Sequence, residues 1–348
     1  MSFNILSLDG GGIRGIVSSY VLREVERQVA EQTNRSLRDY FDLIAGTSTG
    51  SIVAAALALG RTSEDLIQVY IHEGETIFPY RTFRSLQRWP LILKYGLSAP
   101  KFSHRGLIEV LKKHLVGEVG DLARLSDIDR PYVLITSYDT ISHTPLIFKN
   151  WRHDRWYADL PLWQICVASS SAPTFFPAYK LTSGNAIYST IDGGVAAQNP
   201  VACAIAAAIR LGHTLDEINV FSIGTGDVAK PILFKEAEGW GLSQWALRIS
   251  SVLMDAPSDI YDYVARQVLQ HADEGNYLRL QFELNNCDTG LNPLTGKAID
   301  EAMDNASQNN LRNLLQATEA FVERGTIAFQ GVELPVKDAI TKFIAIHR

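Results

Sequence analysis

Short apolar runs that end in glycine turns set the pattern of the first 60 residues. Phe3 to Leu8 is mostly apolar and runs into Asp9-Gly10-Gly11-Gly12, which reads as a buried strand entering a tight turn. From Ile16, apolar positions recur at Tyr20, Val21, Val25 and Val29. Arg23, Glu24, Glu26 and Arg27 fall on the opposite face, so the segment is an amphipathic helix. Phe41 to Ala45 is a second apolar run. Gly46-Thr47-Ser48-Thr49-Gly50 follows it, then a small-residue helix over Ser51 to Leu59. Strand, glycine loop and helix thus occur twice, which predicts an α/β fold with parallel strands covered by helices.

Farther along, strands are expected at Tyr132 to Tyr138, Pro145 to Lys149, Ile187 to Ile191 and Asn219 to Ile223. Helices are expected at Arg105 to Leu115 and at Pro200 to Leu211, the latter closed by Gly212. After Gly224-Thr225-Gly226 the texture turns helical, with helices at Trp240 to Leu253 and Ala298 to Phe321 and one strand at Tyr277 to Leu284. The expected division is an α/β domain over 3–226 and a mainly helical extension over 227–348 that packs on it. Pro79 to Pro100 reads as an exposed excursion rich in aromatic and basic residues.

Bulk properties narrow the function. The 348 residues carry 46% hydrophobic and 20% charged positions, enough for a full core. A net charge of −6 argues against a nucleic-acid polymer as partner. Cys166, Cys203 and Cys287 are far apart and odd in number, which favours a reducing compartment. No apolar leader opens the chain, and Ile52 to Leu59 is too short to span a bilayer. The expectation is a cytoplasmic protein that is able to touch a membrane surface.

Three motifs carry chemistry. Gly46 and Gly50 flank Ser48 in a G-x-S-x-G pattern between strand and helix, a turn that strains the serine backbone and exposes its hydroxyl. The N–H groups of the next helix favour negative charge there. A nucleophilic serine needs a base. None of His72, His104, His114, His143, His153, His213, His271 and His347 sits in a glycine-bracketed strand end, and the penultimate His347 reads as frayed. Asp192-Gly193-Gly194 does close a strand, and its carboxylate can serve as base. Gly10-Gly11-Gly12 with Gly15 fits G-x-G-x-x-G, yet the second strand ends in Gly46-Thr47-Ser48 where a dinucleotide fold needs an acid. The alternative is an oxyanion cradle of glycine N–H groups. Arg14 either adds charge to that cradle or braces the helix behind it. No zinc-binding pattern occurs, and Gly290 to Lys297 misses the spacing of a phosphate loop.

These motifs, in this order, resemble the patatin-like phospholipases: Asp-Gly-Gly-Gly-Ile-Arg-Gly, then Gly-Thr-Ser-Thr-Gly, then Asp-Gly-Gly. The stretches "SSSAPTFFPAY" and "VAAQNP" also fit, Gln198 standing where asparagine is common. The resemblance implies a three-layer α/β/α sandwich with a mostly parallel sheet. It implies a Ser48–Asp192 dyad without histidine, an oxyanion hole at Gly10, Gly11 and Gly12 near Arg14, and no metal or cofactor. The implied substrate is membrane phospholipid. The chain is also similar to phospholipase effectors of anti-phage signalling, which implies a cyclic-dinucleotide activator; a homo-oligomer is a further expectation. An acyltransferase using the same site and a nucleotide-binding module are the alternatives. Two segments compete for membrane contact. One is Arg81 to Tyr95, with Trp89, Leu91, Ile92 and Leu93 among Arg81, Arg84, Arg88 and Lys94. The other is Trp240 to Leu253.

Overall fold

The computed structural model describes residues 2–117, 120–228, 232–269 and 275–348, with the side chains of 242, 243, 246–251 and 253–256 left out. Eight strands form one sheet: β1 (Phe3–Leu8), β2 (Leu43–Thr47), β3 (Tyr132–Asp139), β4 (Thr144–Lys149), β5 (Tyr179–Ser183), β6 (Ala186–Asp192), β7 (Ile218–Ile223) and β8 (Tyr277–Leu280). The spatial order is β5-β6-β3-β2-β1-β7-β8, with β4 paired to β3. Strands β3, β2, β1, β7 and β8 run parallel, whereas β4, β5 and β6 join antiparallel. The sheet is therefore mixed, and its antiparallel side is built by the hairpins β3–β4 and β5–β6, the first from two strands expected in the sequence. Every residue of β1, β2 and β7 is buried, as strands covered on both faces must be.

Alternation along these strands feeds two cores. Leu6, Leu8 and Ile44 face one core, with the helices Gly15–Thr33, Thr49–Ala58, Gln308–Arg324 and Val336–Ile346. Phe3, Ile5, Leu43 and Ala45 face the other, with the helix Val201–Arg210 and Ala265 and Leu269 from the helix Leu242–Leu269. The result is helix, sheet, helix.

Several boundaries differ from the periodicity. Strand β2 starts at Leu43, because Phe41 closes a short helix over Leu37–Tyr40 and Asp42 Oδ2 accepts the Asn4 N–H. The helix expected from Ala298 starts only at Gln308. Before it, the Asn310 side chain accepts from the Asp300 N–H and donates to the Asn305 and Asp300 carbonyls, which holds residues 300–305 in turns. His347 is buried, not frayed: its Nε2 meets the Gly275 carbonyl and its own carbonyl accepts from Asn4. Among the described residues, no helix is long and apolar enough to cross a membrane.

The segment after 226 supplies β8 at the edge beside β7. From β8, Arg279 reaches across the sheet to Asp9 at the end of β1. Its Nη1 and Nη2 donate to Asp9 Oδ1 and Oδ2 at 2.8 and 2.6 Å, and Ser222 and Ser258 complete the network. Both side chains are buried. Removing one partner of such a pair strands the other charge in low dielectric. Arg279→Met is expected to lower unfolding free energy by about 3–5 kcal/mol in urea titration. Adding Asp9→Asn should restore part of that loss.

Candidate active site

Strand β3 fixes the spacing of the site. Its residues 134–139 pair with β4 along one edge, so β2 and β6 share the other. There Thr136 lies opposite Thr47, and the next residue, Ser137, lies opposite Asp192. The end of β2 and the end of β6 therefore meet at adjacent rungs. Thr47 and Thr136 hydroxyls are hydrogen-bonded at 2.6 Å at that join.

Ser48 directly follows β2. Its φ is 53° and ψ −122°, a conformation that costs a non-glycine residue of order 1–3 kcal/mol. The surroundings enforce it. The Ser48 N–H donates to Ser169 Oγ at 2.8 Å, and its carbonyl accepts from Ser51 Oγ at 2.6 Å. The helix Thr49–Ala58 must also pass close to β1: a Cβ on Gly50 would collide with the Leu8 carbonyl, so only glycine fits. Gly46, in turn, lies against the Gly50 carbonyl.

Ser48 Oγ donates to Asp192 Oδ2 at 2.6 Å. Asp192 Oδ1 accepts the Gly194 N–H at 2.7 Å, and the Gly193 N–H is tied to the Ser169 carbonyl at 3.1 Å. Asp192 is fully buried and among the described residues no cation compensates it, so burial pushes its pKa up to about 7, against the smaller opposing pull of the two hydrogen bonds. Among the described residues, no imidazole bonds to Ser48 or Asp192. His213 stacks on Phe3, at the opposite end of β1 from the glycine turn. His104 is nearer, meeting Ser171 Oγ at 2.9 Å while Ser171 O accepts the Asp192 N–H, but burial holds its pKa down at about 4. His271 lies outside the described residues.

The glycine turn divides in two. The Gly10 N–H donates to the Gln198 carbonyl at 3.0 Å, and Arg14 Nη1 donates to the Gly226 carbonyl at 2.9 Å. Gly10 and Arg14 line a separate polar cavity with Asp9, Gln198 and Asp227. Arg14 thus braces the loop at Gly226 and lines this cavity, not the one at Ser48. Among the described residues, nothing accepts from the N–H groups of Gly11 and Gly12. Gly12 has φ +59° and abuts the Met303 carbonyl, which also accepts the Ile13 N–H at 2.8 Å. Met303, Ser169 and Gln198 thus set the geometry; Ser169 and Gln198 lie in stretches that fit the family, but nothing in those stretches specifies these contacts.

Gly12, Ser48 and Asp192 open onto an apolar cavity lined by Ile52, Ile77, Phe78, Leu107, Phe175 and Met303. Its empty volume, part of it open to solvent, is about 580 Å³. A hydroxyl hydrogen-bonded to a carboxylate at the polar end of an apolar cleft suits nucleophilic attack on an ester whose acyl chain lies in that cleft.

The patatin-like phospholipase family model matches residues 6–205. Patatin-like protein 1 of Arabidopsis thaliana is 31% identical, over 97% of this chain and 86% of that protein. Patatin-15 of Solanum tuberosum is 30% identical, over 92% of this chain and 83% of that protein. Human GIVD cytosolic phospholipase A2, solved with methyl γ-linolenyl fluorophosphonate, aligns with a TM-score of 0.44 at 14% identity, over 99% of this chain and 59% of that one. With its family model spanning more than half the sequence and full-length relatives at this identity, the chain belongs to the patatin-like phospholipases.

Proposed function

We propose that this chain hydrolyses fatty-acyl esters of membrane phospholipids, with Ser48 as nucleophile and Asp192 as general base. The hydrogen bond from Ser48 Oγ to Asp192 Oδ2, set at the polar end of an apolar cavity, carries the reading. Family membership supports the reaction class, lipid acyl hydrolysis.

The Asp192 carboxylate takes the Ser48 proton as Oγ bonds to the ester carbonyl carbon. The oxyanion that forms is held by the Gly11 and Gly12 N–H groups, with the helix Thr49–Ala58 adding its N-terminal dipole. Protonated Asp192 then passes the proton to the departing glycerol oxygen, leaving acyl-Ser48. Water attacks that ester as Asp192 takes its proton. Collapse returns the proton to Ser48 and releases the fatty acid. A pKa near 7 lets one carboxyl work as both base and acid near neutrality. The cyclic dinucleotide enters the reading as an activator and is a variable of the assay.

A fluorophosphonate probe should label the wild type and leave Ser48→Ala unlabelled; equal labelling removes Ser48 from its role. Asp192→Asn should slow labelling by about 10²–10⁴-fold. Vesicle hydrolysis that rises on adding a cyclic dinucleotide would support the activator, and an unchanged rate would eliminate it.

The pH dependence follows from Asp192 with two separate signs. The base must be ionised, so kcat/KM on a soluble ester should rise with unit slope and level off above about pH 7. A pH-independent rate between 5 and 9 would contradict it. Stability moves the other way. A carboxyl raised from 3.8 to about 7 is protonated in the folded chain while ionised in the unfolded one, so stability falls as pH rises between those values and then levels. Asp192→Asn escapes this loss. Its Tm should exceed that of wild type by more at pH 8 than at pH 5, and an equal difference would show that burial does not govern this carboxyl.

A further inference from the structure

Residues 79–100 leave the helix Ser63–Ile77 and return to the body at Lys101, forming a lobe turned inside out. Its interior is a cation. Arg88 is 6% exposed, and its guanidinium donates to the carbonyls of Phe83, Leu97, Ala99 and Pro100, gathering both limbs of the lobe. Arg88 is thus no surface cation, contrary to the composition of the segment, because its guanidinium is spent on four carbonyls of the lobe's own backbone. The apolar side chains go outward instead. Leu97 is 87% exposed, Leu93 79%, Leu86 78% and Trp89 53%, and the short helix Trp89–Tyr95 has no buried residue.

Leucines dispersed singly over a surface mean little, but six large apolar side chains on one 22-residue lobe, Phe83 and Tyr95 included, mark a contact surface. The charge around them selects what it contacts. From 76 through 108 the sequence has no acidic residue and holds Arg81, Arg84, Arg88, Lys94, Lys101 and Arg105, in a chain whose net charge is −6. Arg84 and Lys94 are exposed, and among the described residues neither meets an acidic side chain. Apolar side chains flanked by cations are the composition of a segment that inserts into an anionic lipid interface.

The position of the lobe agrees. Phe78, immediately before it, lines the cavity at Ser48. Phe102, immediately after it, packs on Phe78 and Phe176 at 5.5 and 5.8 Å between ring centres, and both partners line that cavity. The lobe is rooted in the wall of the acyl cleft, and a buried ion pair of Lys101 with Asp304 sits beside Met303 at the glycine turn. We propose that the lobe 79–100 is the membrane-docking element, inserting Leu86, Trp89, Leu93 and Leu97 between lipids of an anionic surface so that the Ser48 cleft opens onto it. This rests on the hydrolase reading for the choice of a lipid surface, but its test does not depend on catalysis.

The full chain carrying Ser48→Ala, which leaves vesicles intact, is floated with vesicles of phosphatidylcholine alone or of phosphatidylcholine and phosphatidylglycerol in equal parts. It should float with the anionic vesicles, more weakly with the neutral ones, and less as salt is raised. Trp89→Ser/Leu93→Ser/Leu97→Ser in the same background should lower the floated fraction by at least about tenfold, since each apolar side chain withdrawn from water contributes on the order of tenfold in partitioning. Arg84→Glu/Lys94→Glu should remove the preference for the anionic vesicles. Tm checks folding, and Leu97→Ser alone, at a fully solvated position, gives a smaller loss if the triple variant does not fold. Parent-like flotation of these variants, or no flotation of the parent, overturns the proposal. So does a parent dimer that the triple variant converts to monomer, which would make the lobe an interface between copies.

Discussion

Strand β3 is the constraint on which the site depends. With one edge taken by β4, its other edge is divided between a parallel strand arriving from one side and an antiparallel strand arriving from the other. They end at adjacent rungs, Thr136 and Ser137, and the residues that end them are Thr47 and Asp192. Ser48 is one residue beyond, in a strained turn that aims its hydroxyl at the carboxylate. Two side chains 144 positions apart in the sequence are thus brought to 2.6 Å by backbone pairing, before any side-chain packing is considered. A bulky side chain at Gly46 or Gly50 would disturb this join first.

Burial raises the proton affinity of two carboxylates of the same sheet, and among the described residues a cation opposes it at one of them. Asp9 directly follows β1, Asp192 ends β6, and both are almost wholly buried. Asp9 has a bidentate arginine, which ties β8 to β1 and secures the base of the glycine turn. Asp192 has only a hydroxyl and one backbone N–H, so desolvation prevails and its proton affinity rises into the neutral range. The paired carboxylate stabilises the frame, while the unpaired one is suited to moving protons. Arg14, which the sequence placed between these two roles, belongs to the frame through Gly226.

The meeting of Ser48 with Asp192 was more legible in the sequence than the rest of the shape. Ser48 and Asp192 were readable because glycines bracket them at strand ends, and such turns leave a local signature. The central strands were readable because complete burial leaves mostly apolar runs. The rest depended on distant partners. The antiparallel strand Tyr179–Ser183 is half solvated and has no strong pattern of its own. The helix expected at Ala298 yields to asparagine side chains that satisfy the backbone in turns. Ser169, Gln198 and Met303 act through contacts with residues more than 100 positions away, which no local window contains. Arg88 shows the same limit: composition identified a basic, apolar segment, but only the fold shows that one of its cations is the core and the leucines are the surface.

The central claim is that the acyl group passes through Ser48. Acid-quenched mass spectrometry during turnover of a slowly deacylated ester tests it most directly. The account predicts that the peptide containing Ser48 gains the mass of the acyl group within the first turnover and loses it as substrate is exhausted. An acyl adduct on any other residue, or full turnover with Ser48 unmodified at every quench time, would contradict it.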